Sequence, residues 1–212
     1  MKKAISALVL ASVLLLPGLA AAETVKPFYI GAGGLYAIED FDVKDEAALR
    51  AYGFGNITFD NTWGFDIFAG YRFSENFALE FDFGYLPDFE WKQTAQVLPG
   101  LSITAAEKAT ITTYALEAKL MLPAGSGFYP YFMAGLGYMN GDVEASARNN
   151  NTGATFSNKD SESDPFARIG LGCEKFFGDR FSMRLSADYN MGFNDVDEAR
   201  YFTVGLGAAV HF

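Results

Sequence analysis

The chain contains a single cysteine, Cys173, so no disulfide can form within it, although exported domains of this size normally use cysteines in pairs. Histidine is equally scarce, with His211 the only one. Basic residues are few: 16 Lys and Arg stand against 26 Asp and Glu, a net charge of −10, which leaves no basic face for nucleic acid. Beyond the extreme N-terminus no stretch approaches the roughly 20 apolar residues that a membrane-crossing helix needs. If this chain spans a membrane, strands must do it.

What is present begins with a leader. Lys2 and Lys3 precede an almost unbroken apolar run from Ala4 to Leu16. Pro17 and Gly18 then break it, and Ala20-Ala21-Ala22 offers small residues for cleavage before Glu23. The expected organisation is a signal peptide over 1–22, with Ala20 and Ala22 marking the cleavage site, and one domain over 23–212. Mean hydropathy is close to neutral at +0.07, yet aromatics make up 16% of the chain and Phe alone accounts for 21 residues. A soluble domain would hide those rings in a core, whereas a transmembrane barrel turns them toward lipid and gathers them into girdles at both interfaces.

Alternation with a period of two decides between these readings. In the closing segment Phe202, Val204, Leu206, Ala208, Val210 and Phe212 share one face, while Thr203, Gly205, Gly207, Ala209 and His211 share the other. Similar segments are read over 28–38, 63–73, 77–85, 110–122, 128–138, 166–177 and 181–193. Each has about the 9–11 residues a tilted strand needs to cross a bilayer. An open sheet would strand its edge N–H and C=O groups in hydrocarbon, so the eight strands must close on themselves. The expected fold is all-β, an eight-stranded antiparallel up-and-down transmembrane barrel in a bacterial outer membrane. Short turns and both mature termini are expected in the periplasm, with long polar loops over 39–61, 87–109, 140–164 and 194–198 outside. Those loops hold 17 acidic and 6 basic residues. The third, rich in Asn, Ser and Gly, is expected to be mobile, and 45–52 could form a turn or two of helix.

The inward faces carry Asp66, Glu80, Asp82, Glu117, Glu174 and Asp188 against Arg72, Lys119, Arg168 and Arg184. Six acids nearly balance four bases, and an unpaired charge in a closed lumen is costly. The expectation is a salt-bridged plug in a tube narrow enough for side chains to fill, not a selective pore.

Gly70-Tyr71-Arg72-Phe73 running into Phe77-Ala78-Leu79-Glu80, and Pro130-Tyr131 running into Ala134-Gly135-Leu136-Gly137-Tyr138, resemble the small OmpA-like and opacity-protein-like outer-membrane barrels. The resemblance covers essentially the whole mature chain and speaks to barrel type, not to activity. It implies that the Phe202 to Phe212 strand is read as an assembly signal by the barrel-insertion machinery. Because the chain stops at the barrel, the peptidoglycan-binding domain of OmpA is not expected here.

Other motifs carry less. Gly31-Ala32-Gly33-Gly34, Gly135-Leu136-Gly137, Gly170-Leu171-Gly172 and Gly205-Leu206-Gly207 open no helix in a βαβ unit, so they read as small residues in a crowded lumen and not as phosphate loops. Asp160, Glu162 and Asp164 would share one side of an extended backbone, but without an EF-hand spacing they read as a solvated acidic face. The sequons at Asn56 and Asn150 mean little in a Gram-negative export context, and Cys173 faces lipid by parity. By resemblance, lipid hydrolases of this membrane place a His near a Ser in the outer leaflet, whereas His211 lies one residue from the periplasmic end. No catalytic residue, metal or cofactor is expected, and omptin-like proteolysis would need a ten-stranded barrel.

The expected function is therefore non-enzymatic: an envelope-stabilising barrel displaying acidic loops, in contact with outer-membrane lipid and lipopolysaccharide and able to meet a host or surface ligand. The alternative is an OmpW-like conduit for small hydrophobic molecules. That would need an apolar funnel in the extracellular half and a lateral opening, whereas the inward residues read as mostly charged or glycine.

Overall fold

A computed structural model describes residues 26–40, 58–196 and 199–212. The expected leader, the helical turns over 45–52 and the Asn56 sequon lie outside those residues, or at their edge. Eight strands follow one another: β1 (Phe28–Glu39), β2 (Thr62–Arg72), β3 (Phe77–Leu98), β4 (Leu101–Met121), β5 (Phe128–Asn149), β6 (Thr155–Phe177), β7 (Phe181–Gly192) and β8 (Arg200–His211). Each pairs antiparallel with its neighbours, and β1 pairs with β8 from Tyr29↔His211 to Glu39↔Tyr201, so the barrel is closed.

Alternation controls which way each side chain points. Trp63, Leu136 and Leu171 are exposed by 72%, 68% and 65%, whereas Phe68, in the inward register of β2, is exposed by 1%. A soluble protein would not leave such a continuous apolar belt in water. Two aromatic girdles bound the belt. At the end carrying the chain termini, Phe28 packs edge-on to Tyr71 (4.8 Å), Tyr71 meets Phe73 (4.7 Å), and Phe177 meets Phe181 (5.9 Å). At the other end Tyr36 meets Trp63 (4.8 Å), Phe65 meets Tyr85 (5.7 Å), and Phe83 meets Tyr114 (5.3 Å). At the terminus end the strands are joined by short turns.

The far end differs from expectation. Segments 87–109 and 140–164 are not loops but continuations of β3, β4, β5 and β6, which run past the aromatic ring as one hydrogen-bonded sheet. Their pairing is continuous from Lys119↔Met133 up to Ile103↔Asn149, and from Phe128↔Lys175 up to Arg148↔Thr155. The expected mobile third loop shrinks to a short turn, in which Gly153 adopts φ +76° and its N–H bonds the Asn149 carbonyl at 2.8 Å. β3 and β4 turn through Pro99 and Gly100, the latter at φ +82°, where a side chain would be strained. The barrel fixes the register, and the ladder simply continues upward. No alternation announced it, because above the membrane neither face of these strands must be apolar.

One row of side chains locks that register. Glu90, Lys108, Glu144 and Lys159 lie directly opposite one another across four strands, with alternating sign. Lys108 bonds Glu90, and Lys159 reaches Glu144 at 2.9 Å. Directly opposed unlike charges are the pairs that stabilise a ladder.

Candidate functional site: the filled lumen and the raised sheet

At the terminus end the lumen opens on Arg72. Its Nε donates to the Ser74 carbonyl (3.2 Å) and its Nη2 to the Glu75 carbonyl (2.7 Å), while Tyr129 and Phe176 stack on the guanidinium. Arg72 therefore fastens the β2–β3 turn and makes no ion pair with the lumen acids among the described residues, contrary to the expectation that it joins their network. Arg72 is nevertheless buried with Lys119, Arg168 and Arg184, so four bases are enclosed with the six acids.

Above this mouth the network is continuous. Ser182 donates to Glu174 (2.6 Å) and lies 2.9 Å from His211 Nε2; Lys119 donates to the other Glu174 oxygen at 3.0 Å. Arg184 bridges Glu80 and Asp66, the latter at 2.5 Å, and Tyr29 donates to Glu80 at 2.9 Å. One level higher, Arg168 Nη1 holds Asp82 and Glu117, both at 2.7 Å. Its Nε donates to Asn190 (2.7 Å), and its Nη2 to Thr113 (3.3 Å). Asp188 accepts from Ser186 at 2.8 Å. Apart from Arg72 and Asp188, every charged residue expected in the lumen is thus ion-paired with a residue of another strand, most of them across the lumen.

The room for these side chains comes from glycine. Gly33 faces Asp66, Gly31 faces Phe68, Gly170 faces Asp188 and Gly207 faces Arg184 across adjacent strands. A methyl group at Gly170 would sit 2.0 Å from Asp188 Oδ1. The glycine-rich segments are seats for long neighbours.

Sequence reading missed the top of the lumen. Leu35, Leu86, Phe89, Trp91, Ile111, Met139, Phe166, Val196 and Tyr201 pack there into an apolar cluster joined by Phe59. The expectation of a mostly charged or glycine lining holds only below it. Parity would have placed Leu35, Ile111 and Phe166 inward. Phe59 lies outside any strand, and the β3 bulge between Leu86 and Phe89 shifts the phase for Phe89 and Trp91. The inward aromatics Tyr29, Phe68, Tyr131 and Phe176, interleaved with the charges, were also readable from parity.

The other expected features fall as follows. Ser182, His211 and Glu174 touch but are all enclosed, and the one Ser182 proton goes to Glu174, so His211 does not receive it. Asp160, Glu162 and Asp164 share the inner face of the β6 extension. Among the described residues no group of His, Cys, Asp or Glu is arranged to hold a metal. Cys173 stands opposite Leu185, which faces lipid. Phe202, Val204, Leu206, Val210 and Phe212 form an outward stripe on β8, with the half-buried Ala208 among them. Ala20 and Ala22 lie outside the described residues.

Above the rim, β6 from Thr155 to Asp164 pairs only with β5, since pairing with β7 begins at Phe166↔Gly192. Among the described residues no strand pairs with its outer edge; the Ser161 N–H on that edge bonds the Asp160 side chain at 3.0 Å.

The profile of the outer membrane protein β-barrel domain matches residues 6–212. No curated protein matches the chain in sequence. Among solved structures, Neisserial surface protein A is 16% identical with a TM-score of 0.57, covering 87% of this chain and 97% of its own. The attachment invasion locus protein Ail of Yersinia pestis is 16% identical with a TM-score of 0.52, covering 89% and 99%. OprG of Pseudomonas aeruginosa is 14% identical with a TM-score of 0.50, covering 89% and 98%. At these identities the likeness is one of fold. Eight closed strands, a lipid-facing belt between two girdles and a profile spanning nearly the whole sequence lead to one conclusion: the chain belongs to the outer membrane protein β-barrel domain family, whose place is the bacterial outer membrane.

Proposed function

We propose that this protein is a non-enzymatic, non-conducting surface barrel that presents its raised sheet to the outside as a recognition platform, of use in adhesion. In this reading a cleaved leader exports the chain, the outward stripe on β8 is read by the barrel-insertion machinery, the termini lie in the periplasm and the β3–β6 extensions stand outside. The observation that carries the reading is the raised sheet itself. Four strands climb together beyond the rim, and one of them, β6, has an edge from Thr155 to Asp164 that no strand pairs with among the described residues. An exposed edge takes an extended partner segment by adding one more strand. Acidic Asp160, Glu162 and Asp164 beside that edge select a basic partner and oppose self-pairing in antiparallel register. The sealed lumen leaves the barrel to act as a mount. The names of two structural neighbours, a surface protein and an attachment invasion locus protein, agree with that role.

The test is adhesion of a heterologous Gram-negative host expressing the full chain, compared with Ser161→Pro/Ser163→Pro, which removes two edge donors. Adherence falling to background, with heat-modifiable gel migration retained, supports the reading. Unchanged adherence overturns it.

A second reading has specific support. The β2–β3 ladder stops at Phe65↔Tyr85. Above it β3 bulges at Pro87, whose carbonyl accepts a bond from Thr62 Oγ1 in place of a ladder bond. A weak seam beside an apolar upper lumen is the arrangement a lateral conduit for small hydrophobic molecules requires. Restoration of hydrophobic-solute uptake in a deletion strain would favour it over the platform.

A further inference from the structure

The raised sheet is electrically two-sided. Its register with the lipid-facing Tyr114 and Tyr138 is unbroken on β4, β5 and β6, and on β3 it is carried through the bulge by the pairing Lys92↔Ala106. All four of its cations, Lys92, Lys108, Arg148 and Lys159, therefore point to the convex, outward side. Glu107, Asp160, Glu162 and Asp164 point to the concave side over the barrel mouth. Among the described residues the convex face also bears three acids. Two of them, Glu90 and Glu144, belong to the ladder that holds Lys108 and Lys159, and Asp142 accepts from Asn140 at 3.1 Å. Lys92 and Arg148 have no hydrogen-bond or ion-pair partner among the described residues.

The rest of that face is made of hydroxyls and amides. Thr94 and Thr104 hydrogen-bond each other at 2.8 Å, and Ser163 bonds Asn140 at 2.6 Å. Among the described residues of the convex face only Ala106 is apolar. A pocket of about 310 Å³ lies between Lys108 and Lys159, lined also by Thr110, Asp142, Val143, Glu144, Asp160 and Ser161. A protein partner would want apolar anchors here. A face of cations and hydroxyls suits a phosphorylated sugar.

Height gives the source of that sugar. Lys108 lies six residues from Tyr114 on the same face of β4. At ~3.3 Å per residue and a tilt of ~40° this puts it about 15 Å above the tyrosine ring, with Lys92 and Arg148 higher still. On the proposed orientation this is the layer occupied by the phosphorylated saccharide of the outer leaflet.

We propose that the convex face of the raised sheet docks on lipopolysaccharide, Lys92 and Arg148 contacting its phosphates and the pocket between Lys108 and Lys159, whose acids accept hydrogen bonds from hydroxyls, seating a neighbouring sugar. The inference rests on the orientation given above but not on adhesion. The experiment follows lipopolysaccharide retained on the detergent-purified, folded full chain, with lipopolysaccharide enzymatically stripped of phosphate as the second probe. Lys92→Glu/Arg148→Glu lowers retention of the phosphorylated form by roughly tenfold, as expected for lost charge-assisted contacts. Glu162→Gln, on the concave side, leaves it unchanged. Heat-modifiable migration shows that each variant is folded. Equal retention by the double variant and the parent, or equal retention of the two probes, overturns the proposal. So does binding of a soluble sulfated polysaccharide in preference to lipopolysaccharide. A tag at Gly153 separates the two ideas: a tag hidden on intact cells sinks the orientation and this inference together, whereas an exposed tag with no phosphate-dependent retention sinks this inference alone.

Discussion

Arg184 lies with its guanidinium carbon 3.3 Å from the centroid of the Phe68 ring, while its two amino groups hold Glu80 and Asp66. The ring belongs to β2 and the arginine to β7, so the contact crosses the inside of the barrel. It puts a cation between an aromatic face and two carboxylates, all of them buried.

Removing that cation takes from Asp66 its ion-pair partner among the described residues and leaves Glu80 with Lys119, 3.8 Å away. Arg184→Ala is expected to destabilise the barrel by about 3–5 kcal/mol, the usual result of breaking one side of an enclosed ion pair. Arg184→Met combined with Glu80→Gln and Asp66→Asn restores most of the loss, because no uncompensated charge remains. Reversible denaturation in detergent, followed by heat-modifiable migration, measures both. A triple variant as unstable as the single one would show that the cluster is not what Arg184 serves.

Glycine positions sort by face. At Gly31 a methyl would meet Phe68 at 2.2 Å and the Ala208 carbonyl at 2.4 Å, whereas at Gly34 nothing lies within 4 Å. Gly31→Ala is therefore expected to cost at least the ~1–3 kcal/mol typical of overpacking, and Gly34→Ala close to nothing. Melting of the two variants in one detergent decides it.

Conductance should be absent. With Arg168 and Arg184 tied across the lumen and Phe89, Phe166 and Met139 fully buried above them, purified protein in planar bilayers is expected to give no large, stable steps. Steps of porin size would contradict the filled interior.

The charge ladder above the membrane should respond to sign more than to strength. Glu144→Lys sets three cations in a row with Lys108 and Lys159, and it should speed amide exchange across the β5–β6 extension. Each exposed pair is worth at most about 1 kcal/mol, so the spanning strands should stay protected. Residue-resolved hydrogen exchange reads both regions at once.

Within the membrane the sequence announces its strands because hydrocarbon demands an apolar residue at every second position. β2, β3 and β7 were legible for that reason, with ends within a residue or two wherever a turn followed. Above the girdle water accepts either face. Nothing in Asn158, Lys159, Asp160 and Ser161 distinguishes a loop from a strand whose partner is already held in place by the barrel below. The lumen was half legible. Parity placed every charge inward, but parity is local, and the pairing of Arg168 with Asp82 and Glu117 depends on how strands are staggered around the cylinder. Arg72 fell the wrong way because turn carbonyls, invisible to a list of side chains, compete for a guanidinium.

The seam deserves a last consequence. Phe28 and Phe212 stack at 6.4 Å, and the Phe212 amide donates to the Phe28 carbonyl at 2.8 Å. The earliest and latest spanning stretches of the polypeptide are thus side by side, and the cylinder cannot be shut until the final strand has been made. A ribosome that stalls early releases a product with two raw margins and no means of sealing them, which hydrocarbon will not tolerate. Completeness of synthesis is in effect inspected by geometry, and a fragment fails at the bilayer before any protease need recognise it.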